Sequence, residues 1–91
     1  MAKFAVVLTF GDEATRLAAR PRHREYLQQL LAEGKLHESG PWADDSGALL
    51  IYEAADEAEA RALLAADPYS QTDGVIAGVE LKEWNRVYAA E

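Results

Sequence analysis

The histidine at position 23 is the residue whose type and position most suggest chemistry. In the stretch 21–33 it shares one face with Leu27, Leu30 and Leu31 at the 3.6-residue helical period, which predicts a ring that points inward. An imidazole exchanges protons near neutral pH, so His23 is a candidate general acid or base. A histidine on an apolar stripe is also typical of a core side chain with satisfied hydrogen bonds, and the residues alone favour that structural interpretation.

A cluster of arginines surrounds this histidine. Four of the nine basic residues are arginines between positions 16 and 24. Because a guanidinium group forms paired hydrogen bonds with a carboxylate, Arg20 and Arg22 are candidates for binding an anionic substrate. A solvated helix edge that offsets the acidic remainder of the chain explains the same cluster.

Three further side chains are weaker candidates. Ser39 stands beside Gly40–Pro41 and has a hydroxyl to offer a ligand, but no base is evidently near it, which argues against a serine nucleophile. Trp42 and Tyr69 are aromatic platforms for a substrate or, more simply, packing residues.

The sequence does not predict a metal or a cofactor. His37 together with His23 and Asp67 would offer three ligands, but their spacing is not diagnostic of a metal site. No glycine-rich phosphate-binding loop occurs. We therefore expect no bound metal and no cofactor.

Composition limits the classes of function. The chain has 91 residues, so we expect one domain over residues 1–91. A net charge of -7 argues against nucleic acid and against an anionic membrane as partners. A chain of this length buries only about 60% of its unfolded surface, and without cysteine it has no disulfides, which leaves oligomerisation as the common source of added stability.

The expected location is the cytoplasm. Met1, Ala2 and Lys3 are followed by an alternating strand pattern, which does not fit a signal peptide. No segment approaches the roughly 20 apolar residues that span a bilayer. The absence of cysteine agrees with a reducing compartment.

The patterning predicts six elements, with Pro21 separating a short helical turn at 13–19 from the first full helix. Asp56 and Glu59 are expected to form a capping box, and Gly78 is a candidate β-bulge. The predicted elements are strand 3–10, helix 21–33, strand 36–42, strand 48–52, helix 56–66 and strand 75–88.

This βαββαβ order predicts a ferredoxin-like α+β protomer, with two helices on one face of a four-stranded antiparallel sheet. The first and third strands are apolar on both faces, and two helices cover only one of them. We therefore expect a two-fold homodimer in which the open sheet faces stack.

Several short motifs occur in a characteristic order. They are Arg20 and His23 before Tyr26–Leu27, then Gly34-Lys35-Leu36, Ser39-Gly40-Pro41, Gly47, and Asp67-Pro68-Tyr69 after the second helix. In this order the chain resembles, over nearly its whole length, the YciI-like (YCII-related) family of dimeric α+β-barrel proteins.

The resemblance implies a dimer and a pocket in which His23 pairs with Asp67. Relatives include a dehalogenase acting on chlorinated muconolactones, and the wider superfamily includes muconolactone isomerases and small monooxygenases. In a βαββαβ unit the start of the first helix and the end of the second can lie at one sheet edge, which agrees with the pairing. Four residues differ from the family pattern, namely Arg20, Arg22, Arg24 and Trp42. The substrates of these relatives are therefore not assigned to this chain.

The resulting hypothesis is cofactor-free acid–base chemistry of lyase, isomerase or dehalogenase type on a small carboxylated or lactone-like metabolite. His23 would transfer the proton, and Asp67 would orient the imidazole ring of His23. The substrate would be bound by Arg20, Ser39 and Tyr69. Two alternatives are a non-catalytic ligand-binding or accessory dimerisation module, and a cofactor-free monooxygenase that turns over only in air.

Overall fold

The computed structural model describes residues 1–90, and they form the predicted βαββαβ order. The sheet is antiparallel with strand order β2-β3-β1-β4, which confirms the ferredoxin-like fold. Among residues 1–90, no helix is long and apolar enough to cross a membrane. The elements are β1 Ala2–Phe10, α1 Glu13–Ala32, β2 Leu36–Pro41, β3 Gly47–Ala54, α2 Glu57–Ala65 and β4 Ile76–Trp84.

The core lies between the sheet and the two helices. Alternate residues of β1, namely Phe4, Val6 and Leu8, are no more than 2% exposed. They belong to one apolar cluster with Leu30 of α1 and Leu64 of α2. Burial of each such side chain contributes about 1.5–3 kcal/mol, so this face of the sheet holds the helices in place.

Helix α1 differs from the prediction because it begins at Glu13 and continues through Pro21. Asp12 caps the helix, since its carboxylate accepts from the Thr15 amide at 2.8 Å. Pro21 lies on the exposed side of α1, as does Leu17, whose carbonyl loses its helical partner to the proline ring. Water can satisfy that carbonyl, so the proline does not end the helix.

Helix α2 agrees with the prediction to within one residue at each end. Asp56 caps it by accepting from the Glu59 amide at 2.9 Å. The predicted return bond from Glu59 to the Asp56 amide is not formed, because the Glu59 carboxylate accepts instead from the Ala55 amide at 3.0 Å. The residues of α2 that face the core and are buried are Ala60 and Leu64.

Strand β4 is shorter than predicted. Its last pairing joins Trp84 to Lys3, near the start of β1 at Ala2. Among residues 1–90, no strand continues the ladder beyond Trp84, and Tyr88 is 93% exposed. The predicted extension to residue 88 is therefore wrong for lack of a partner strand.

The bulge in β4 lies next to the predicted glycine. Thr9 pairs with Gly78, whereas Phe10 pairs with Ile76, so Ala77 is the extra residue. A bulge bends its strand and increases the local twist. The bulge of β4 therefore lies opposite Phe10, the last residue of β1, which belongs to the site described below.

Strands β2 and β3 pair as a hairpin, with β2 at the edge of the sheet, where Pro41 is tolerated. A second register shift, which the sequence did not reveal, lies between Leu36 and Glu38. His37 is the extra residue of this shift. The strand ends at Pro41 because Trp42 already belongs to the turn, where its amide donates to the Gly47 carbonyl at 2.9 Å.

Gly11 joins the end of β1 to the segment that precedes β4. Its amide donates to the Val75 carbonyl at 2.8 Å, and the next amide, of Asp12, donates to the Gly74 carbonyl at 2.8 Å. A Cβ at position 11 would lie 2.3 Å from the Gly74 oxygen, so only glycine fits. This contact fixes the point at which α1 starts.

We predict that Asp12→Ala lowers the thermal midpoint, because α1 loses its cap. The hydrogen bonds from Thr15 hold the pKa of the Asp12 carboxyl below its ordinary value. Its stabilising effect is therefore complete above the unfolded pKa and lost as the pH falls through the lowered folded pKa.

Thermal melts of wild type, Asp12→Ala and Asp12→Asn between pH 2 and 7 test this. Asparagine caps a helix without ionising, so the thermal midpoint of Asp12→Asn should be close to that of wild type at neutral pH. As the pH falls, the midpoint of Asp12→Asn should lack the part of the decrease that Asp12 causes. Equal midpoints for wild type and Asp12→Ala at pH 7 would contradict the role of the cap.

Candidate functional site

The carboxylate of Asp67 is held in a turn directly after α2. Its own backbone carbonyl accepts from the Ser70 amide at 2.8 Å, and its Oδ1 accepts from the Tyr69 amide at 2.9 Å. Pro68 follows it and disfavours helical geometry for Asp67. The side chain is fully buried, so its direction is determined by the turn and by one partner on α1.

That partner is His23, in the middle of α1. Its Nδ1 lies 2.8 Å from Oδ1 and 3.0 Å from Oδ2 of Asp67. An ionised carboxylate only accepts, which assigns the proton to Nδ1 in the neutral ring. Nε2 is then the unprotonated nitrogen, available to accept a proton from a ligand. His23 was expected in the first turn of its helix, and that expectation was wrong because α1 starts at Glu13.

Tyr69 determines the plane of the histidine ring. The two rings stack with centroids 3.7 Å apart and an interplanar angle of 2°. The edge of Tyr69 also meets Phe10 at 5.8 Å and 83°, and the Arg16 guanidinium carbon lies 4.6 Å from the centre of the Phe10 ring. One continuous wall of flat groups therefore extends from His23 to Arg16.

This wall belongs to a cavity of about 520 Å³ between α1 and β2. The predicted substrate-binding residues Arg20, Ser39 and Tyr69 all line it together with His23, whereas Asp67 lies behind the ring of His23. The other lining residues are Phe10, Arg16, Arg24, Leu27, Gln28, Leu31, Leu36, His37, Glu38, Gly40, Pro41, Asp45 and Ala48.

The cavity combines cationic and apolar walls. Three arginines of α1, Arg16, Arg20 and Arg24, lie on the same side of the cavity as His23. Leucines and Phe10 supply the apolar surface. Such a mixture suits a small, largely apolar ligand that carries an anionic group.

Three tyrosines near Asp67 are held in their neutral form. Burial raises the pKa of Tyr69, and the nearby Arg16 guanidinium partly opposes that rise. Burial, with a smaller contribution from the charge of Asp67, raises the pKa of Tyr52 and of Tyr26. Each hydroxyl thus keeps its proton, and Tyr26 donates to the Leu63 carbonyl at 2.6 Å.

The family profile of the YCII-related domain matches residues 2–85. The chain belongs to the YCII-related domain family. This confirms the resemblance seen in the sequence. Among curated proteins, none matches this chain.

Two solved structures share the fold of this YCII-related domain. One is 5-chloro-2-hydroxyhydroquinone dehydrochlorinase from Burkholderia phenoliruptrix AC1100, in complex with 2,5-dihydroxybenzoquinone. It has a TM-score of 0.77 and 23% identity, covering 91% of this chain and 93% of that chain. The other is PA3566 from Pseudomonas aeruginosa, with a TM-score of 0.60 and 11% identity, covering 96% and 95% of the two chains.

His37 of this YCII-related domain contacts carboxylates away from the His23–Asp67 pair. Its Nδ1 lies 3.7 Å from Oε1 of Glu53, and its Nε2 lies 4.0 Å from Oε2 of Glu38. Across residues 1–90, no cluster of three or more His, Asp or Glu side chains has a geometry that could hold a metal ion.

Sequence reasoning missed Phe10 as a site residue and counted Arg16 only as one member of a basic cluster. Arg16 is recognisable once α1 starts at Glu13, because it then lies two helical turns before His23 on the same face. Phe10 lies at the end of β1, and its place in the site follows only from tertiary packing. The cap formed by Asp12 and Thr15 was the available signal for that start. Leu31, predicted to be buried, is 55% exposed and lies at the cavity.

We predict that Asp67→Asn destabilises the YCII-related domain by about 1–3 kcal/mol, because an amide has one acceptor oxygen where the carboxylate has two. Urea unfolding followed by circular dichroism measures the change. Asp45→Asn is the matched control, since Asp45 is exposed and its φ of 61° suits asparagine as well. A similar loss of unfolding free energy in Asp67→Asn and Asp45→Asn would contradict a special role for the buried carboxylate.

Proposed function

We propose that this protein catalyses acid–base chemistry on a small planar anion, with His23 as the general base and acid. One observation carries the proposal. The buried Asp67 carboxylate holds Nδ1 of His23 at 2.8 Å, while the ring lines a cavity large enough for a small metabolite. The ring edge that carries Nε2 is therefore the one offered to a ligand. Because the dyad alone both accepts and returns a proton, the proposal names no cofactor.

In the proposed reaction Nε2 removes a proton from a carbon next to a carbonyl group. The electron pair of that C–H bond either forms an enolate or forms a double bond as a neighbouring leaving group departs with its own bonding pair. Asp67 stabilises the imidazolium that results. Return of the proton to another atom completes an isomerisation, and loss of the proton to water completes an elimination.

The side chains that line the cavity favour an anionic substrate. Arg20 would add positive charge near the anionic group of the substrate, and Ser39 would donate a hydrogen bond. Since burial raises the pKa of Tyr69, its hydroxyl is a neutral donor for the charge that develops on the substrate oxygen. The stacking of Tyr69 on His23 would also limit rotation of the base.

The structural relative supports the reaction class. The Burkholderia protein is a dehydrochlorinase that was solved with a flat, ring-shaped ligand. We propose by analogy that a carbon–halogen elimination is within the scope of this site. At 23% identity the substrate of that enzyme is not assigned to this chain.

We predict that wild type releases chloride from at least one compound in a panel of small chlorinated lactones and carboxylates, and that His23→Gln lowers kcat by about 10²–10⁴-fold. Arg22→Gln is the control, because Arg22 is exposed and lies outside this cavity. Chloride release is measured with and without oxygen.

Equal rates in air and under nitrogen are expected, because the proposed step uses no oxidant. Turnover only in air would indicate the monooxygenase instead. Binding without turnover across the panel, unchanged in His23→Gln, would contradict catalysis and leave a ligand-binding module.

We also propose a homodimer formed through the sheet face opposite the helices. The centre of that face is apolar, with Val7 of β1 beside Leu49 of β3, and both are half-buried in one protomer. Charged residues surround this centre, including the ion pair of Lys3 and Glu53 at 2.9 Å. A second copy would cover the apolar centre. The cytoplasmic location expected from the sequence stays a prediction.

Light scattering at micromolar concentration should therefore give about twice the 10.0 kDa chain mass for wild type. Val7→Glu should shift the protein toward monomer, since it places charge at the centre of the stacked faces. Val79→Glu is the control, because Val79 pairs with Leu8 on the helix side and is already exposed. A wild-type monomer would contradict the barrel.

A further inference from the structure

Arg16 is the only buried basic residue among residues 1–90. It is only 5% exposed, and its guanidinium lies against the Phe10 ring at 4.6 Å. Within residues 1–90 its Nε has no hydrogen-bond partner, and it lines the same cavity as His23. A buried cation normally has a carboxylate or several acceptors around it.

Within residues 1–90, no carboxylate forms an ion pair with Arg16. The ion pairs of the described chain involve Lys3, Lys35, Arg61 and the two histidines, but not Arg16. The polar group beside it is the Tyr69 hydroxyl, which stays protonated because burial raises its pKa. The neutral hydroxyl and the Phe10 ring offset part of the cost of burying Arg16, but neither is a counter-ion, so a bound anion would offset more of it.

We infer that Arg16 is the anion-recognition residue of the cavity and selects planar substrates that carry an oxyanion, whether carboxylate, phenolate or enolate. This inference rests on the proposed function, since it names the substrate class for the same site. The Nε–H and a terminal N–H of the guanidinium would form paired hydrogen bonds with that oxyanion. No other arginine of the cavity is as buried as Arg16.

Burial explains why Arg16 would outweigh Arg20 in this role. Arg20 is half-buried and Arg24 is exposed, so water and salt screen their charges more strongly. Arg16 is also held in place by Phe10 before any ligand arrives. An arginine ordered in advance loses less conformational entropy on binding.

The position of Arg16 also limits the shape of the substrate. It lies two turns before His23, about 10 Å along the helix axis, and the flat faces of Phe10 and Tyr69 lie between them. A flat, ring-sized ligand that lies along these faces would reach both residues, with its oxyanion toward Arg16 and its acidic C–H toward His23.

The test compares binding of benzoate with that of benzamide, its neutral counterpart of the same shape. Calorimetry and ring chemical shifts of Phe10 and Tyr69 report binding. In wild type we expect benzoate to bind at least about tenfold more tightly than benzamide. Arg16→Met should remove this preference, and Arg16→Lys should keep only part of it. Arg22→Met should behave as wild type.

Thermal melts separate recognition from a structural role. If the role of Arg16 is to bind an anion, Arg16→Met should leave the thermal midpoint of the ligand-free protein unchanged or raise it. Benzoate should then raise the midpoint of the wild type but not of Arg16→Met. A large fall in the midpoint with benzoate affinity unchanged would show that Arg16 is structural and would overturn the inference. No binding of benzoate to wild type would overturn it as well.

The outcomes also separate this inference from the proposed function. His23→Gln should lose turnover and keep benzoate binding. If instead Arg16→Met keeps the preference for benzoate while His23→Gln still loses turnover, the inference is wrong and the proposed function stands. If Arg16→Met loses benzoate while His23→Gln keeps full turnover, the proposed function is wrong and anion recognition by Arg16 stands.

Discussion

The site depends on one constraint, a fully buried carboxylate that must find hydrogen-bond donors. Asp67 is 0% exposed, and it accepts from the Tyr69 amide and from Nδ1 of His23. An unsatisfied buried carboxylate would cost several kcal/mol, so the turn after α2 and the middle of α1 are held together. The same bond orients the imidazole. Stability and the proposed chemistry therefore share one interaction.

Aromatic packing extends that constraint across the cavity. Tyr69 follows Asp67 by two residues, and its ring stacks on His23 and meets Phe10 at the end of β1. Phe10 in turn supports Arg16, which lies on α1. Because α1, β1 and the turn after α2 each supply part of the wall, the ferredoxin-like packing assembles the site. The cavity then offers a proton acceptor at one end and a buried cation at the other.

Much of this was predictable from sequence, for reasons that differ between elements. The strands β1 and β3 follow from short runs that are apolar on both faces, and the family resemblance supplied the pairing of His23 with Asp67. The start of α1 was not predicted, because Pro21 was read as a boundary although the cap at Asp12 allows the helix to continue past it. The end of β4 depends on where its partner strand starts, which is a tertiary property. The burial of Arg16 depends on where α1 starts and on the packing of Arg16 against Phe10 of β1, which is a tertiary contact, and it was therefore missed.

The central claim is that Asp67 holds His23 with the proton on Nδ1 and leaves Nε2 free to accept one. Long-range ¹H–¹⁵N NMR of the imidazole ring in the neutral state measures this directly, since a protonated and an unprotonated ring nitrogen have well-separated ¹⁵N shifts. The account predicts a protonated Nδ1 and an unprotonated Nε2 in wild type. A protonated Nε2 with an unprotonated Nδ1 would contradict it, because no base would then face the cavity.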